Sequence, residues 1–395
     1  MISAILWLIA FLQQNRDNNC KKWTQETNKC LYISNCLTVN GVGGFSLSLS
    51  FASDKKKVYA RAFSIDIFVK MSRIDLRSHL FSHMKIISGT AHPQLASDIA
   101  KELGLPLCDA SVNAFPDGES FVQINESIRG EDVYIVQPTC PPTNHNLMEL
   151  LVMVDAVRRA SASRITAVIP FYGYARQDRK DKPRVPITSK LVANLLTAAG
   201  VNRVLTMDLH AAQIQGFFEI PVDHLHSLPV LIRHLKEHYV KDINNLVVVS
   251  PDIGGVKTAK AYANILGTQL AIVAKQRISA TEVDAHALIG DVAGKDVLLV
   301  DDMTESGGTL CAAASILKEH GAARIFAGVS HAVLNEKACS RLASSPIERL
   351  LTSDSVPMAC GVEGVDTVSI APLFAQAIAN IHNNASVTHL FEVGC

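Results

Sequence analysis

The sequence predicts an α/β protein with mainly parallel sheets, and three observations support this fold class. From Met84 onward, short runs rich in branched apolar residues alternate with helix-length segments. Most of the strand candidates are apolar at consecutive positions, as expected for strands that are covered on both faces. A strand, polar loop, helix and second strand also follow one another twice, first from Gly130 and again from Gly294.

The elements follow in a regular order after Met84. The first strand candidate is residues 84–89, and residues 92–104 form an amphipathic helix candidate that a glycine ends. The further strand candidates are residues 133–138, 165–173, 203–210, 246–255, 269–275, 296–302 and 324–331. A last helix candidate, FAQAIANIHNN, covers residues 374–384.

The internal repeat indicates duplication of one domain. Both copies begin with Gly-x-Asp-Val and end with Arg-Ile and another strand. Only the second copy has the acid pair Asp301-Asp302 and a glycine pair in its loop, whereas the first copy has Pro141-Pro142 there. We therefore expect one phosphate site per chain. Chance similarity of two ordinary βαβ units is the alternative.

Composition limits the function classes. A chain of 395 residues suits two domains with a tail, and its net charge of zero argues against a strongly basic nucleic-acid binder. The nine cysteines include no CxxC pair, which favours reduced thiols in a cytosolic protein. No nucleic-acid partner and no membrane are expected.

The first 83 residues differ from the rest of the chain. Residues 2–12 form an apolar run that is short for a membrane span and lacks a preceding basic segment. Beyond this run the composition is irregular, and no strand–helix alternation appears. We expect residues 1–83 to be a disordered extension or the result of a start codon placed too early, with a targeting or anchoring segment as the alternative.

The segment VLLVDDMTESGGTL, residues 297–310, carries the most informative chemistry. It predicts a strand, a turn and a helix start, where unpaired backbone N–H groups and the positive end of the helix dipole favour an anion. Carboxylates beside a phosphate would repel it unless they bind hydroxyl groups nearby. A sugar phosphate meets both requirements, and a helix cap with surface acids is the alternative.

Several further segments resemble one enzyme family. They are FPDGES at 115–120, FYGYARQDRKDKPRVPITSK at 171–190, DLHAAQIQGFF at 208–218, SPDIGG at 250–255 and LIGDVAGKDVLLVDDM at 288–303. In this order they are similar to class I ribose-phosphate pyrophosphokinases, also called phosphoribosyl diphosphate synthetases. The resemblance covers Met84 to about Val393.

This resemblance implies a fold and a reaction. The fold is two tandem type I phosphoribosyltransferase-like domains related by duplication, with ATP on residues 84–229 and ribose 5-phosphate on residues 230–374. Residues 375–395 would form a C-terminal helix that packs back on the N-terminal domain. The implied reaction transfers the diphosphoryl group of Mg-ATP to the 1-hydroxyl of ribose 5-phosphate, giving 5-phosphoribosyl 1-diphosphate and AMP for nucleotide biosynthesis.

The resemblance also implies residue roles. The ATP-binding residues would be Phe115, Asp117, Gly118, Glu119, Arg176, Gln177 and Asp178. The residues for ribose 5-phosphate would be Asp301, Asp302, Glu305, Ser306, Gly307, Gly308 and Thr309. His210 and Asp252 would bind Mg²⁺, and Lys275 and Arg277 would stabilise the transition state.

Two segments depart from the family pattern. Gln276 and Ile278 interrupt the usual Lys-Arg-Arg-Pro, and Glu305-Ser306 replaces the usual Asp-Thr. The consequence of either departure for the site is left open.

Family resemblance further implies a cytoplasmic homo-oligomer, a hexamer built from dimers. The FPDGE segment would complete the ATP site of a neighbouring subunit. Two other functions remain as alternatives. A phosphoribosyltransferase would share the 301–309 loop but would not need RQDRK or FPDGE. A non-catalytic regulatory subunit would not need Lys275, Arg277, His210 and Asp252.

Overall fold

The computed structural model describes residues 35–40, 44–49, 63–65, 83–276, 285–358 and 363–391. Residue contacts divide the chain into the units Met1–Leu76 and Arg77–Cys395. The first unit has a three-stranded antiparallel sheet in the order β1-β2-β3. Its strands are Asn35–Asn40, Gly44–Leu49 and Phe63–Ile65. The expectation that residues 1–83 are a disordered extension or follow from a start codon placed too early stays a prediction. The apolar run at 2–12 lies outside the described residues.

A five-stranded parallel sheet forms the first half of the second unit, in the order β10-β9-β8-β7-β4. Its strands are β4 Met84–Ser88, β7 Asp132–Val136, β8 Arg164–Ile169, β9 Arg203–Met207 and β10 Val222–Leu225. The helices that connect them are α1 Pro93–Leu103, α2 Thr143–Arg159 and α3 Thr188–Ala199. Between β9 and β10, Ala212–Phe217 form a 3₁₀ helix. The fully buried residues of β7 agree with its run of apolar letters.

A short antiparallel hairpin is inserted between α1 and β7. Its strands are β5 Ala110–Ala114 and β6 Ser120–Ile124. The FPDGE segment forms the turn between them, so that Phe115 N–H donates to the Glu119 carbonyl at 2.8 Å.

A seven-stranded sheet forms the second half of the unit, in the order β13-β12-β11-β14-β15-β16-β17. All neighbours are parallel except β12 and β13. Its strands are β11 Leu246–Ser250, β12 Gln269–Gln276, β13 Ala285–Ile289, β14 Asp296–Thr304, β15 Arg324–Ala332, β16 Arg349–Ser353 and β17 Val365–Val368. The helices are α4 Leu228–His238, α5 Val256–Leu266, α6 Gly308–Glu319 and α7 Glu336–Ala343. A 3₁₀ turn, Ile243–Asn245, precedes β11.

The last helix, α8 Ala371–His382, is followed by a 3₁₀ turn, Thr388–Phe391. It begins a few residues before the predicted segment 375–395 and ends well inside it. Phe374 and Ile378 of α8 are fully buried in one apolar cluster with Leu95 of α1 and with residues of β4, β7, β8 and β9. The helix therefore covers one face of the five-stranded sheet.

These parallel sheets, with helices between successive strands, confirm the predicted α/β fold class. In such sheets, ligands bind beyond the carboxyl ends of the strands. The assignment of residues 84–229 and 230–374 to separate domains, and their duplication, stay predictions.

Candidate active site

His210 and Asp302 meet although 92 residues separate them. His210 follows β9 of the five-stranded sheet, and Asp302 lies near the carboxyl end of β14 in the seven-stranded sheet. The distance from His210 Nδ1 to Asp302 Oδ2 is 2.6 Å. The structure thus brings a sequence-predicted metal ligand to the sequence-predicted sugar site.

The two adjacent aspartates have very different proton affinities. Burial raises the pKa of Asp301 to about 8, and the negative charges of Asp302 and Asp252 add to that rise. Burial would also raise the pKa of Asp302, but the hydrogen bond and positive charge of His210 outweigh it and lower that pKa. The same bond raises the pKa of His210, although burial opposes it. The negative charge of Asp301 and Asp302 is only partly compensated by His210. A bound cation or hydroxyl donors would stabilise it further.

A second contact joins the sequence-predicted nucleotide segment to the sugar loop. Arg176 Nη2 donates to Glu305 Oε2 at 2.6 Å, and both side chains are about half exposed. Nearby, Asp178 accepts a hydrogen bond from Gln213 at 3.4 Å, and its charge also raises the pKa of His210. Gln177 accepts from the hydroxyl of Thr188 at the start of α3. Arg176 and Asp178 therefore lie on the same side of the fold as the acid pair.

The loop for which the sequence predicts phosphate binding lies between β14 and α6. Gly307 caps α6 with φ of 67°, a left-handed conformation that suits glycine, and it offers no side chain to the first amides of the helix. Ser306 Oγ accepts from the Gly308 N–H at 3.3 Å, and Thr309 is exposed at the helix start. Uncapped amides and an exposed hydroxyl at a helix N-terminus can bind a phosphate.

The remaining sequence-predicted residues near the acids are Asp252, Lys275 and Arg277. Asp252 follows β11, and its Oδ1 accepts from the Gly255 N–H at 2.9 Å just before α5. The Lys275 backbone lies in β12 opposite His286, at the end of the strand candidate 269–275. The Lys275 side chain and all of Arg277 lie outside the described residues.

The FPDGE turn stands apart from these groups. The Phe115 ring is 48% exposed and packs edge-on against Phe121, with 5.4 Å between ring centroids. Asp117 Oδ1 accepts from the Glu119 N–H at 3.1 Å, across the turn that Gly118 completes with φ of 90°. Among the described residues, the turn has no recorded hydrogen bond or ion pair to Arg176, Gln177 or Asp178. The grouping of these residues in one ATP site therefore stays a prediction.

Sequence reasoning missed a hydrogen-bonded network around Asp208, two residues before His210. Asp208 has φ of 38°, which is strained for a residue other than glycine. Its carboxylate accepts from Ser330 Oγ at 2.6 Å and from the Ser227 N–H at 2.9 Å, and it pairs with His226 at 2.9 Å. His331 of β15 lies 3.2 Å from the Asp208 carbonyl. Since these partners come from distant elements, no local pattern could have indicated them.

Part of this network has metal-ligand chemistry. Ligand atoms of Asp208, His224 and His226 lie within 4.8 Å of one another. However, His224 Nε2 accepts from the Leu209 N–H at 2.9 Å, and burial lowers the pKa of this ring to about 4. The Asp208 carboxylate already has three hydrogen-bond partners, Ser227, Ser330 and His226. Because Asp208 and His224 are both occupied by hydrogen bonds within the protein, this cluster serves the fold.

Acids beside a glycine loop, at the carboxyl edge of a parallel sheet, define an α/β enzyme of the phosphoribosyltransferase-like class. Comparison with known families narrows the class. A family described as the N-terminal domain of ribose phosphate pyrophosphokinase matches residues 84–200, and the phosphoribosyl synthetase-associated domain matches residues 276–392.

Individual proteins agree with these matches. The chain is 53% identical to a ribose-phosphate pyrophosphokinase of Chlorobaculum tepidum over 310 residues, covering 78% of this chain and 95% of that protein. It is 50% identical to the enzyme of the same name from Helicobacter pylori over 307 residues, covering 78% of this chain and 96% of that protein. The crystal structure of phosphoribosylpyrophosphate synthetase from Mycobacterium smegmatis superposes with a TM-score of 0.73 at 40% identity, covering 77% of this chain and all of that one.

The chain belongs to the ribose-phosphate pyrophosphokinase family, which confirms the resemblance found in the sequence. It is an enzyme of this type. In the part of the chain that the structure describes, no helix is long and apolar enough to cross a membrane.

Proposed function

We propose that this protein transfers the diphosphoryl group of ATP to the 1-hydroxyl of ribose 5-phosphate. The observation that carries the proposal is the convergence of two pairs, His210 with Asp302 and Arg176 with Glu305. In each pair, one residue comes from residues 84–229, the expected ATP domain. The other comes from residues 230–374, the expected ribose 5-phosphate domain. A transfer between two substrates needs this proximity, because positioning supplies much of the rate enhancement.

The sugar phosphate would bind at the acid pair and the loop. Its vicinal hydroxyls donate to Asp301 and Asp302, and its phosphate accepts from the amides of residues 307–309 and the hydroxyls of Ser306 and Thr309. Glu305 reaches a further sugar hydroxyl once it leaves Arg176. The raised pKa of Asp301, about 8, supports this assignment, since hydroxyl donors would stabilise its ionised form.

ATP would bind on the other side of this edge. Arg176, Gln177 and Asp178 contact the nucleotide, while Phe115, Asp117, Gly118 and Glu119 complete the ATP site of a neighbouring subunit. The exposure of the Phe115 ring supports this second role, because a large apolar ring at a turn is available to stack on a base. A shared site of this kind requires a homo-oligomer, and the family resemblance implies a hexamer built from dimers.

The donor set fits Mg²⁺. His210 and Asp252 would hold the ion, and the negative charge gathered around Asp301 and Asp302 favours a hard cation at this place. Bound magnesium would neutralise phosphate charge and orient the phosphate oxygens.

The reaction itself is an in-line displacement. The 1-hydroxyl oxygen of the sugar forms a bond to the β-phosphorus of ATP and loses its proton. The bond from that phosphorus to the oxygen that bridges to the α-phosphorus breaks, and AMP leaves with this oxygen. Lys275 and Arg277 would stabilise the charge that develops on the transferred group.

The cysteine state supports a cytoplasmic location. Cys108, Cys140, Cys311 and Cys339 are free thiols among the described residues, and the first three are buried. Burial raises the pKa of Cys140 to about 11 and that of Cys108 to about 12, so both thiols stay protonated.

One assay separates this proposal from its alternatives. AMP release from ATP should require both ribose 5-phosphate and Mg²⁺. Diphosphate release that depends on an added nucleobase would instead indicate a phosphoribosyltransferase. If neither product forms, the chain is a non-catalytic regulatory subunit.

A further inference from the structure

Helix α7 lies directly behind the loop that precedes α6. Its Arg341 donates from Nη1 to the backbone carbonyl of Ser306 at 2.8 Å. Ser306 is the residue whose side chain accepts from the Gly308 N–H. One guanidinium from α7 therefore holds the peptide group that leads into α6.

The two loop glycines allow this close approach. A Cβ at Gly308 would lie 3.2 Å from Arg341 Nη1, and a Cβ at Gly307 would lie 3.4 Å from Leu342 Cγ. The loop backbone therefore lies within contact distance of α7, tightly at the flexible end of Arg341 and at ordinary van der Waals distance from Leu342. At Gly307 the positive φ, rather than lack of space, favours glycine.

The charge of Arg341 is unusual for its position. It lies beside the N-terminus of α6, where the helix dipole is already positive and a cation is unfavourable. An anion bound at this helix start would reverse the effect, because both the dipole and the guanidinium would then attract it. The position of Arg341 therefore suits a loop that binds a phosphate.

We propose that Arg341 is a positioning residue, which holds the Ser306 carbonyl so that the amides of residues 307–309 point to the 5-phosphate of the sugar. This inference rests on the proposed binding of ribose 5-phosphate by the loop. Arg341 acts through the backbone and does not contact the reacting atoms. Nothing in the family pattern of loop residues predicts it, since it comes from a separate helix.

Substitution at Arg341 should change binding without unfolding the protein. The side chain lines an open cleft of about 500 Å³ between α6 and α7, so truncation leaves no buried cavity. For Arg341→Ala we expect the KM for ribose 5-phosphate to rise about tenfold, while the KM for ATP and kcat stay within about twofold. Arg341→Lys keeps a charged donor and should recover part of the loss.

Two further variants make the test decisive. Lys337→Ala removes another exposed cation of α7 and should leave both KM values and kcat unchanged. Thr309→Ala removes a proposed phosphate contact and should raise the KM for ribose 5-phosphate by itself.

Each result has a clear meaning. If Thr309→Ala raises this KM and Arg341→Ala does not, the positioning role is wrong and the proposed function stands. Loss of kcat and of both substrates' affinity together in Arg341→Ala, with a lower Tm, would show a general structural role instead. If neither variant changes this KM, the phosphate loop itself is assigned wrongly and the role of Arg341 falls with it.

Discussion

The two copies of the internal repeat use the same strand–loop–helix unit in opposite ways. In the first copy, between β7 and α2, the buried carboxylate of Glu149 accepts from Thr90 N–H at 2.8 Å, Thr90 Oγ1 at 2.7 Å and Gln137 Nε2 at 2.6 Å. Asn146 of α2 donates to the Cys140 carbonyl at 2.8 Å. The polar groups of this loop are thus satisfied within the protein.

In the second copy, between β14 and α6, the polar groups face outward. Glu305, Ser306 and Thr309 are exposed, and Gly307 gives the helix no side-chain cap. The first copy shows that this strand–loop–helix unit can fold without a ligand, because side chains of the protein satisfy the polar groups of its loop. An open loop in the second copy therefore indicates a site. We call residues 137–142 the closed loop and residues 305–307 the open loop.

The largest expected effect separates the two copies by activity. Asp302→Asn removes the charge that pairs with His210 and that would accept from the sugar, so kcat/KM for ribose 5-phosphate should fall about 10²- to 10³-fold. Glu149→Gln, in α2 of the first copy, should change kcat/KM for ribose 5-phosphate less than about fivefold. Steady-state kinetics of both variants measures the contrast, and equal losses would remove the distinction between the copies.

The next effect separates the copies by stability. In Glu149→Gln, an amide NH₂ replaces one acceptor oxygen and faces buried donors, so the free energy of unfolding should fall by about 3 kcal/mol. Urea unfolding followed by circular dichroism gives this value. Asp302→Asn is the matched control and should lose less than about 1 kcal/mol, since its side chain is partly exposed. A larger loss in the control would show that the acid pair of the second copy also stabilises the fold.

A smaller effect concerns pH. The pKa of Asp301 rises from 3.8 to about 8 on folding, first through burial and then through the charge of Asp302. The folded chain therefore binds this proton more tightly than the unfolded chain does. This stabilisation is fully present below about pH 4 and is lost as the pH rises through about 8.

Asp301→Asn should remove that dependence in the protein without substrates or Mg²⁺. Its Tm should match the wild-type value near pH 5 and exceed it by about 5 °C near pH 9. Thermal unfolding across this pH range measures the difference. A constant difference at every pH would contradict the proposed proton on Asp301.

The smallest effect concerns the exposed pair Arg176 and Glu305. Because both side chains are about half exposed, their coupling should be below about 1 kcal/mol. A double-mutant cycle with Arg176→Ala and Glu305→Ala, measured by urea unfolding, gives the coupling energy. A value above about 2 kcal/mol would show that this pair locks the open loop rather than releasing it to substrates.

The sequence pattern predicted the strands β4, β7, β8, β9, β11, β12, β14 and β15 and the helices α1 and α8, because their residues are buried at consecutive positions or along one helix face. It did not predict the short strands β5, β6, β10, β13, β16 and β17. It placed the end of β14 too early. The strand continues through both aspartates to Thr304, since Asp301 pairs with Val329 and Thr304 with Ala332 of the equally long β15. Strand extension by a partner cannot be seen in the residues of one strand.

The family was predictable from the sequence, and the comparisons confirm it. The sugar phosphate site indicated by an acid pair followed by glycines stays a prediction, and its contacts could not be predicted. The contacts of His210 with Asp302 and of Arg341 with Ser306 depend on elements far apart in the chain. Glu149 carried a local signal, an acid within the apolar run LMELLVMV, which is typical of a buried and hydrogen-bonded carboxylate.

The most direct measurement is the stoichiometry of ribose 5-phosphate binding, by isothermal titration calorimetry with Mg²⁺ and a non-hydrolysable ATP analogue. The open loop should give one site per chain, and Thr309→Ala should weaken that site strongly. Two sites per chain, or one site that Thr309→Ala leaves unchanged, would contradict the assignment of sugar phosphate binding to the open loop alone.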